Sequence, residues 1–126
     1  MVTATLRVVV PASKRREVLR ALRSLRGPTE ARAGCSGYHI YQDDGDENAL
    51  TLMQEWATQL ALDRYIRSDL YRTVLAVIET ASEPPDVRFD TVARRAGMEI
   101  IASAREGHGG LRAAASNFSR SVEAFR

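Results

Sequence analysis

Between Arg32 and Leu75 the chain sets two strand-like runs around an acidic turn and follows them with an amphipathic helix. Few folds accept that arrangement. Gly34-Cys35 opens the first run, in which Tyr38 and Ile40 alternate with His39 and Tyr41 as a pleated strand requires. Asp43-Asp44-Gly45-Asp46 is turn chemistry: a glycine for positive φ, and short side chains that hydrogen-bond their own backbone. Ala49 to Trp56 is the return strand. Leu60, Ala61 and Leu62 with Tyr65 and Ile66 then recur at helical spacing behind Thr58, a capping residue, in a helix that should run to about Ser68.

The flanking segments complete a β-α-β-β-α-β plan. Thr3 to Val10 is rich in β-branched residues and is halted by Pro11, which cannot donate to a sheet ladder. Ser13 is placed to cap a helix from Lys14 to Arg26, with Val18, Ala21, Leu22 and Leu25 on one face and Arg16, Arg20 and Arg23 on another. Gly27-Pro28 ends or kinks it, and Thr29 to Ala33 can form a further turn. Leu70 to Thr80 is helical on pattern, Pro84-Pro85 breaks it, and Val87 to Ala93 alternates as the last strand. Met98 to Arg105 is helical again. Gly107-His108-Gly109-Gly110 is a joint, after which Leu111, Ala115, Phe118, Val122 and Phe125 make a helical stripe. The expected division is a domain over residues 1–106 and a joint with an amphipathic helix over 107–126.

The 126 residues suit one domain, and no apolar run approaches the roughly 18–20 residues of a membrane span. The opening MVTATLRVVV lacks a basic region, an apolar core and a small-residue cleavage site, and the lone Cys35 cannot make an internal disulfide. Both point to the cytoplasm. A formal charge of +2 is too slight to imply a nucleic-acid partner. RNA-recognition domains share the β-α-β-β-α-β order but need exposed strand aromatics and a K/R-G-F/Y pattern, which ALTLMQEW lacks. The arginine stripe reads as a solvated helix face. Two scattered histidines and one cysteine offer no metal-ligand spacing, and the acidic turn lacks a closing glutamate at calcium-loop distance.

Alternation puts Tyr38, Ile40, Leu50, Leu52 and Trp56 on one face of the hairpin, and His39, Tyr41, Thr51, Met53 and Glu55 on the other. Helices in this order cover only one face of the sheet. The other should meet the same face of a second copy, so a homodimer is expected.

Gly34-Cys35 with Tyr38, the acidic hairpin loop, and Glu55-Trp56 before an amphipathic helix resemble the antibiotic biosynthesis monooxygenase family. The resemblance implies an α+β, ferredoxin-like fold with an antiparallel sheet, paired as a dimeric α/β barrel and here carrying a C-terminal helical extension. It also implies a cofactor-independent oxygenase acting on an electron-rich aromatic, quinol or enol substrate. Its haem-degrading branch carries tryptophan where this chain has Tyr65, and its haem-ligating histidine falls on Leu75, which cannot bind iron. No cofactor is therefore expected. The pocket asparagine of the branch that oxidises aromatic polyketides falls on Leu52.

Trp56, Tyr65 and His39 are the candidate catalytic residues, and Tyr38, Gln54, Trp56, Tyr65 and Arg88 the candidate substrate-binding ones. Each has a plainer role to set beside this. Trp56 can be core packing, and the Tyr38 hydroxyl can satisfy a backbone group. His39 has the chemistry of a general base but lies on the face away from Trp56. Arg88 could hold a phenolate or pair across the sheet with Asp90 or Glu55. Cys35 reads as a small buried hydrophobe. The alternative to an enzyme is a non-catalytic dimeric module that binds a small hydrophobic molecule or stabilises a partner.

Overall fold

The computed structural model describes residues 1–107, and these fall into two compact units that meet between Val92 and Ala93. The helical stripe expected over 111–126 lies outside the described residues.

In the first unit the TATLRVV repeat does what its β-branched alternation dictates. Strand β1 spans Val2–Val9 and buries every second residue. After Pro11 comes a single 3-10 turn at Ala12–Lys14, then α1 over Arg15–Ser24. Ser13 does not cap α1 as expected: it lies within the 3-10 turn, and no side chain caps either element. The expected helix to Arg26 stops two residues short of it. Pro28 has no N–H, and its ring would meet the carbonyl of Ser24, so the chain breaks at Leu25 and restarts as α2, Arg26–Glu30, with Pro28 in the first turn where a proline is tolerated.

Strands β2, Cys35–Gln42, and β3, Ala49–Trp56, enclose the acidic turn. Helix α3, Gln59–Ile66, is capped by Thr58, whose Oγ1 accepts from the Ala61 N–H at 3.1 Å. Helix α4 spans Tyr71–Glu79 and β4 spans Asp86–Thr91. The sheet order is β2-β3-β1-β4 with every pairing antiparallel, the α+β ferredoxin-like arrangement. Gly34 fixes the approach of α3. Its φ is +88°, and a Cβ there would lie 2.5 Å from the Ala61 Cβ.

The core lies between the helices and one face of the sheet. One cluster joins Leu6, Val8, Leu50 and Leu52 to Val18 and Leu22 of α1 and Val74 and Val77 of α4. A second gathers Val2, Ala4, Trp56, Leu62 and Tyr65. The second unit contains α5, Glu99–Glu106, which starts and ends one residue later than the stretch expected to be helical. No described helix is long and apolar enough to cross a membrane.

Candidate functional site

The hairpin register decides which candidates can meet. Gln54 stands opposite Tyr38 on β2 and Ala4 on β1, so all three side chains project toward the helices with Leu52 and Trp56. Tyr65 comes down from α3 onto the same place. Its ring stacks on Trp56 with centroids 4.7 Å apart and meets Tyr71 edge-on at 5.2 Å. Gln54 Nε2 donates to the Tyr65 hydroxyl at 2.9 Å. Burial raises the Tyr65 pKa, an effect partly offset by the bond from Gln54. The phenol is therefore neutral and cannot act as a base near neutrality. Trp56 is wholly buried, and its Nε1 takes no hydrogen bond among the described residues.

Beside this cluster opens a cleft between the sheet and helices α3 and α4. Its sheet walls are Ala4, Leu6, Leu52 and Gln54, with Val87 and Phe89 on β4; Leu62, Tyr71 and Val74 close the helix side. The space between these walls, mouth included, is about 300 Å³, but the centre of a water molecule can occupy only about 20 Å³ of it. That is close to the room one water needs. The lining carries no charge, and Gln54 and the Tyr71 phenol are its larger polar groups. The burial of Tyr71 raises its pKa as well.

The remaining candidates are placed elsewhere. Tyr38 is buried, but its hydroxyl donates to the Leu22 carbonyl oxygen, its ring lies under the Arg26 guanidinium, and burial raises its pKa. Its polar end is thus used within the fold. His39 is exposed on the opposite face of the sheet, stacked at 6.0 Å on Tyr41. Arg88 stands opposite Thr5 and so also lies on that face, away from the cleft. It pairs with Asp86 at 2.9 Å, two residues back on its own strand, and Asp90 adds a weaker electrostatic attraction. Cys35 is half-buried rather than a core residue. Its thiol donates a hydrogen bond to the Gly37 carbonyl oxygen, and burial raises its pKa. Leu75, at the position of the haem ligand, is half-exposed on α4.

Sequence reasoning overlooked Val87, Phe89 and Tyr71 as cleft residues. The signal available was Ala4, a small residue among the large apolar ones of β1, which leaves space opposite Phe89.

A sequence profile of the family described as antibiotic biosynthesis monooxygenase matches residues 1–77. The chain belongs to that family. Solved structures agree on the fold. One titled antibiotic biosynthesis monooxygenase superposes with a TM-score of 0.67 at 19% identity, covering 75% of this chain and all of its own. Rv0793 of Mycobacterium tuberculosis gives 0.64 at 25% identity, covering 77% of this chain and 100% of its own. PA3566 of Pseudomonas aeruginosa gives 0.62 at 24%, covering 75% and 94%. Among curated proteins none matches. The family match ends within α4, so β4, which supplies Val87 and Phe89 to the cleft, lies beyond it.

Proposed function

We propose that this member of the antibiotic biosynthesis monooxygenase family is a cofactor-independent oxygenase acting on an electron-rich aromatic, quinol or enol with O₂. The observation that carries the reading is the uncharged cleft on the helix side, with Gln54 buried in its wall and held by Tyr65. Its lining offers no ionised side chain to take a proton. The substrate must therefore be acidic enough to ionise toward solvent at the mouth. Its anion adds to O₂ through electron transfer and radical recombination, forming a C–O bond, and the peroxide is protonated. Loss of water then leaves a carbonyl, with one oxygen atom in the product and the other in water. The protein supplies desolvation, positioning, and a carboxamide beside the developing charge. Phe89 and Val87, both half-exposed, have to swing outward to admit an aromatic ring.

A second reading is favoured by one observation. A cleft with about 20 Å³ of room is small for a catalytic pocket, which suits a non-catalytic module that stabilises a partner or takes a small hydrophobic molecule only on opening. Oxygen uptake with a panel of hydroquinones and anthrones, in metal-free buffer, separates the two. The oxygenase reading expects uptake that falls by about tenfold or more in Gln54→Leu, on the usual scale for losing a group that stabilises developing charge. Quenching of Trp56, the only tryptophan, without oxygen uptake would leave the binder. We further propose that the reverse face of the sheet pairs with a second copy, because Tyr41 is half-exposed there and Met53 is only partly buried.

A further inference from the structure

Six cations and one carboxylate fall between Lys14 and Arg26 in a chain whose formal charge is only +2, so the rest of the chain is net acidic. The acids within reach serve the ends of this segment: Glu17 meets Lys14 at 3.4 Å, Glu47 meets Arg15 at 2.9 Å, and Glu30 meets Arg26 at 3.8 Å. Arg16, Arg20 and Arg23 are exposed at i, i+4 and i+7, and among the described residues they take no ion pair. They form a row about 10 Å long at the helical rise of roughly 1.5 Å per residue.

Beside this row, α1 and β2 enclose a groove with about 300 Å³ of room, lined by Leu19, Arg23, Arg26, Ile40, Tyr41 and Gln42. Strand β2 is an edge of the sheet. The Asp43 N–H donates to the Ala49 carbonyl, so odd-numbered residues of β2 direct their backbone groups at β3, while Tyr38, Ile40 and Gln42 direct theirs outward. The Tyr38 carbonyl is already taken by Arg26 Nη1 at 2.8 Å. Among the described residues, Ile40 and Gln42 keep a free edge facing the groove.

We propose that this groove docks an extended acidic segment of a partner protein, which adds to the β2 edge at Ile40 and Gln42 and sets alternate carboxylates against Arg23 and Arg20. A peptide fits better than a nucleic acid or a membrane. The groove is concave, Leu19 and Ile40 give it an apolar lining between guanidinium groups, and a β-strand presents side chains of alternating character beside a backbone that can pair with an edge.

The test is fluorescence anisotropy with a labelled peptide of alternating glutamate and valine. Saturable binding is expected, absent for the lysine-valine peptide and weakened by N-methylation of alternate peptide amides. The double variant Arg20→Glu/Arg23→Glu should weaken it about tenfold or more, as reversal of charges across a groove does. Chemical-shift mapping on the unaltered protein should move the Ile40 and Gln42 amides, which keeps the proposal open to refutation if the variant misfolds. It is overturned if the peptide does not bind, if charge reversal has no effect in folded protein, or if the shifts lie elsewhere. It is equally overturned if only heparin, or vesicles of phosphatidylcholine and phosphatidylserine in equal parts, engage the arginines.

Discussion

On the helix side of the sheet, Val2, Leu6, Val8, Leu50, Leu52 and Trp56 are each at most 6% exposed. On the reverse side, Thr3, Thr5, Thr51 and Met53 alternate with them along the same two strands and are only partly covered. The strands are the same and the backbone pairing is shared, so the difference comes from the side chains and what packs on them. Along β1 and β3 the helix face is apolar apart from Gln54, and Gln54 has a partner in Tyr65. The reverse face mixes threonines with Met53, Tyr41 and ion pairs such as Arg7–Asp43 and Arg88–Asp86, which are half-exposed or exposed and worth little on their own. One face is finished within a single chain. The other has the composition of an interface, apolar in patches and polar between them.

The largest effect that can break this contrast is truncation of its most buried side chain. Trp56→Ala should cost about 3–5 kcal/mol, the range for removing a large aromatic from a core. Thr51→Ala, on the reverse face of the same strand, should stay within roughly 0.5 kcal/mol. Urea midpoints measured on both variants compare the faces directly, and equal losses would show that both are core.

Next comes Gly34, which sets how closely α3 can lie on the helix side. Alanine there must adopt φ near +88° and push its Cβ into Ala61. The backbone strain alone is about 1–3 kcal/mol, with the displacement of α3 added to it. Thermal unfolding of Gly34→Ala should begin at clearly lower temperature than the parent. Gly45→Ala, with nothing within 4 Å of the added Cβ and no positive φ, is the control and should change little.

The reverse face is tested by Met53→Asp. If it pairs with a second copy, burial of each large apolar side chain is worth about 1.5–3 kcal/mol to association, and a carboxylate at the centre should yield monomers. Light scattering of parent and variant reads this out. A variant that remains the same soluble dimer would move the interface elsewhere.

What the sequence disclosed follows the same division. Period-two alternation, a turn of aspartates and glycine, and a threonine cap are local signals, and β2, β3 and the start of α3 lie where those signals place them, although Gly45 turns without the positive φ expected of it. Tyr38, Gln54 and Trp56 could be assigned to one face because alternation is a property of the strand itself. Partners across space were not legible. Arg88 was expected to use Asp90 or Glu55, yet Asp86 sits on the same face of its own strand two residues back, which alternation also permits. Ser13 has capping chemistry, but Pro11 leads into a 3-10 turn before α1, and the side chain is left out of the cap. The cleft depends on Ala4 facing Phe89 across a pairing between distant segments: the small residue is visible in β1, but which side chain stands opposite it is not.

The smallest effect concerns the buried hydrogen bond from Gln54 to Tyr65 inside the finished face. Tyr65→Phe keeps the ring on Trp56 and removes the acceptor for Gln54 Nε2, so it should cost about 1 kcal/mol at neutral pH. Tyr41→Phe, half-exposed on the reverse face, should cost within roughly 0.5 kcal/mol. Alkaline pH sharpens the comparison. An unfolded tyrosine releases its proton near pH 10, whereas burial raises the Tyr65 pKa in the fold. Above pH 10 the unfolded chain therefore binds fewer protons than the folded one, and stability falls as pH rises toward the folded value. Phenylalanine has no proton to lose. The stability gap between the parent and Tyr65→Phe should thus be constant below pH 10 and narrow above it, while Tyr38 and Tyr71, raised by burial and to a lesser extent by Tyr65 itself, add a smaller difference of the same sign. A gap that widened with alkalinity would mean that the fold favours the Tyr65 phenolate, and the cleft would then hold a base.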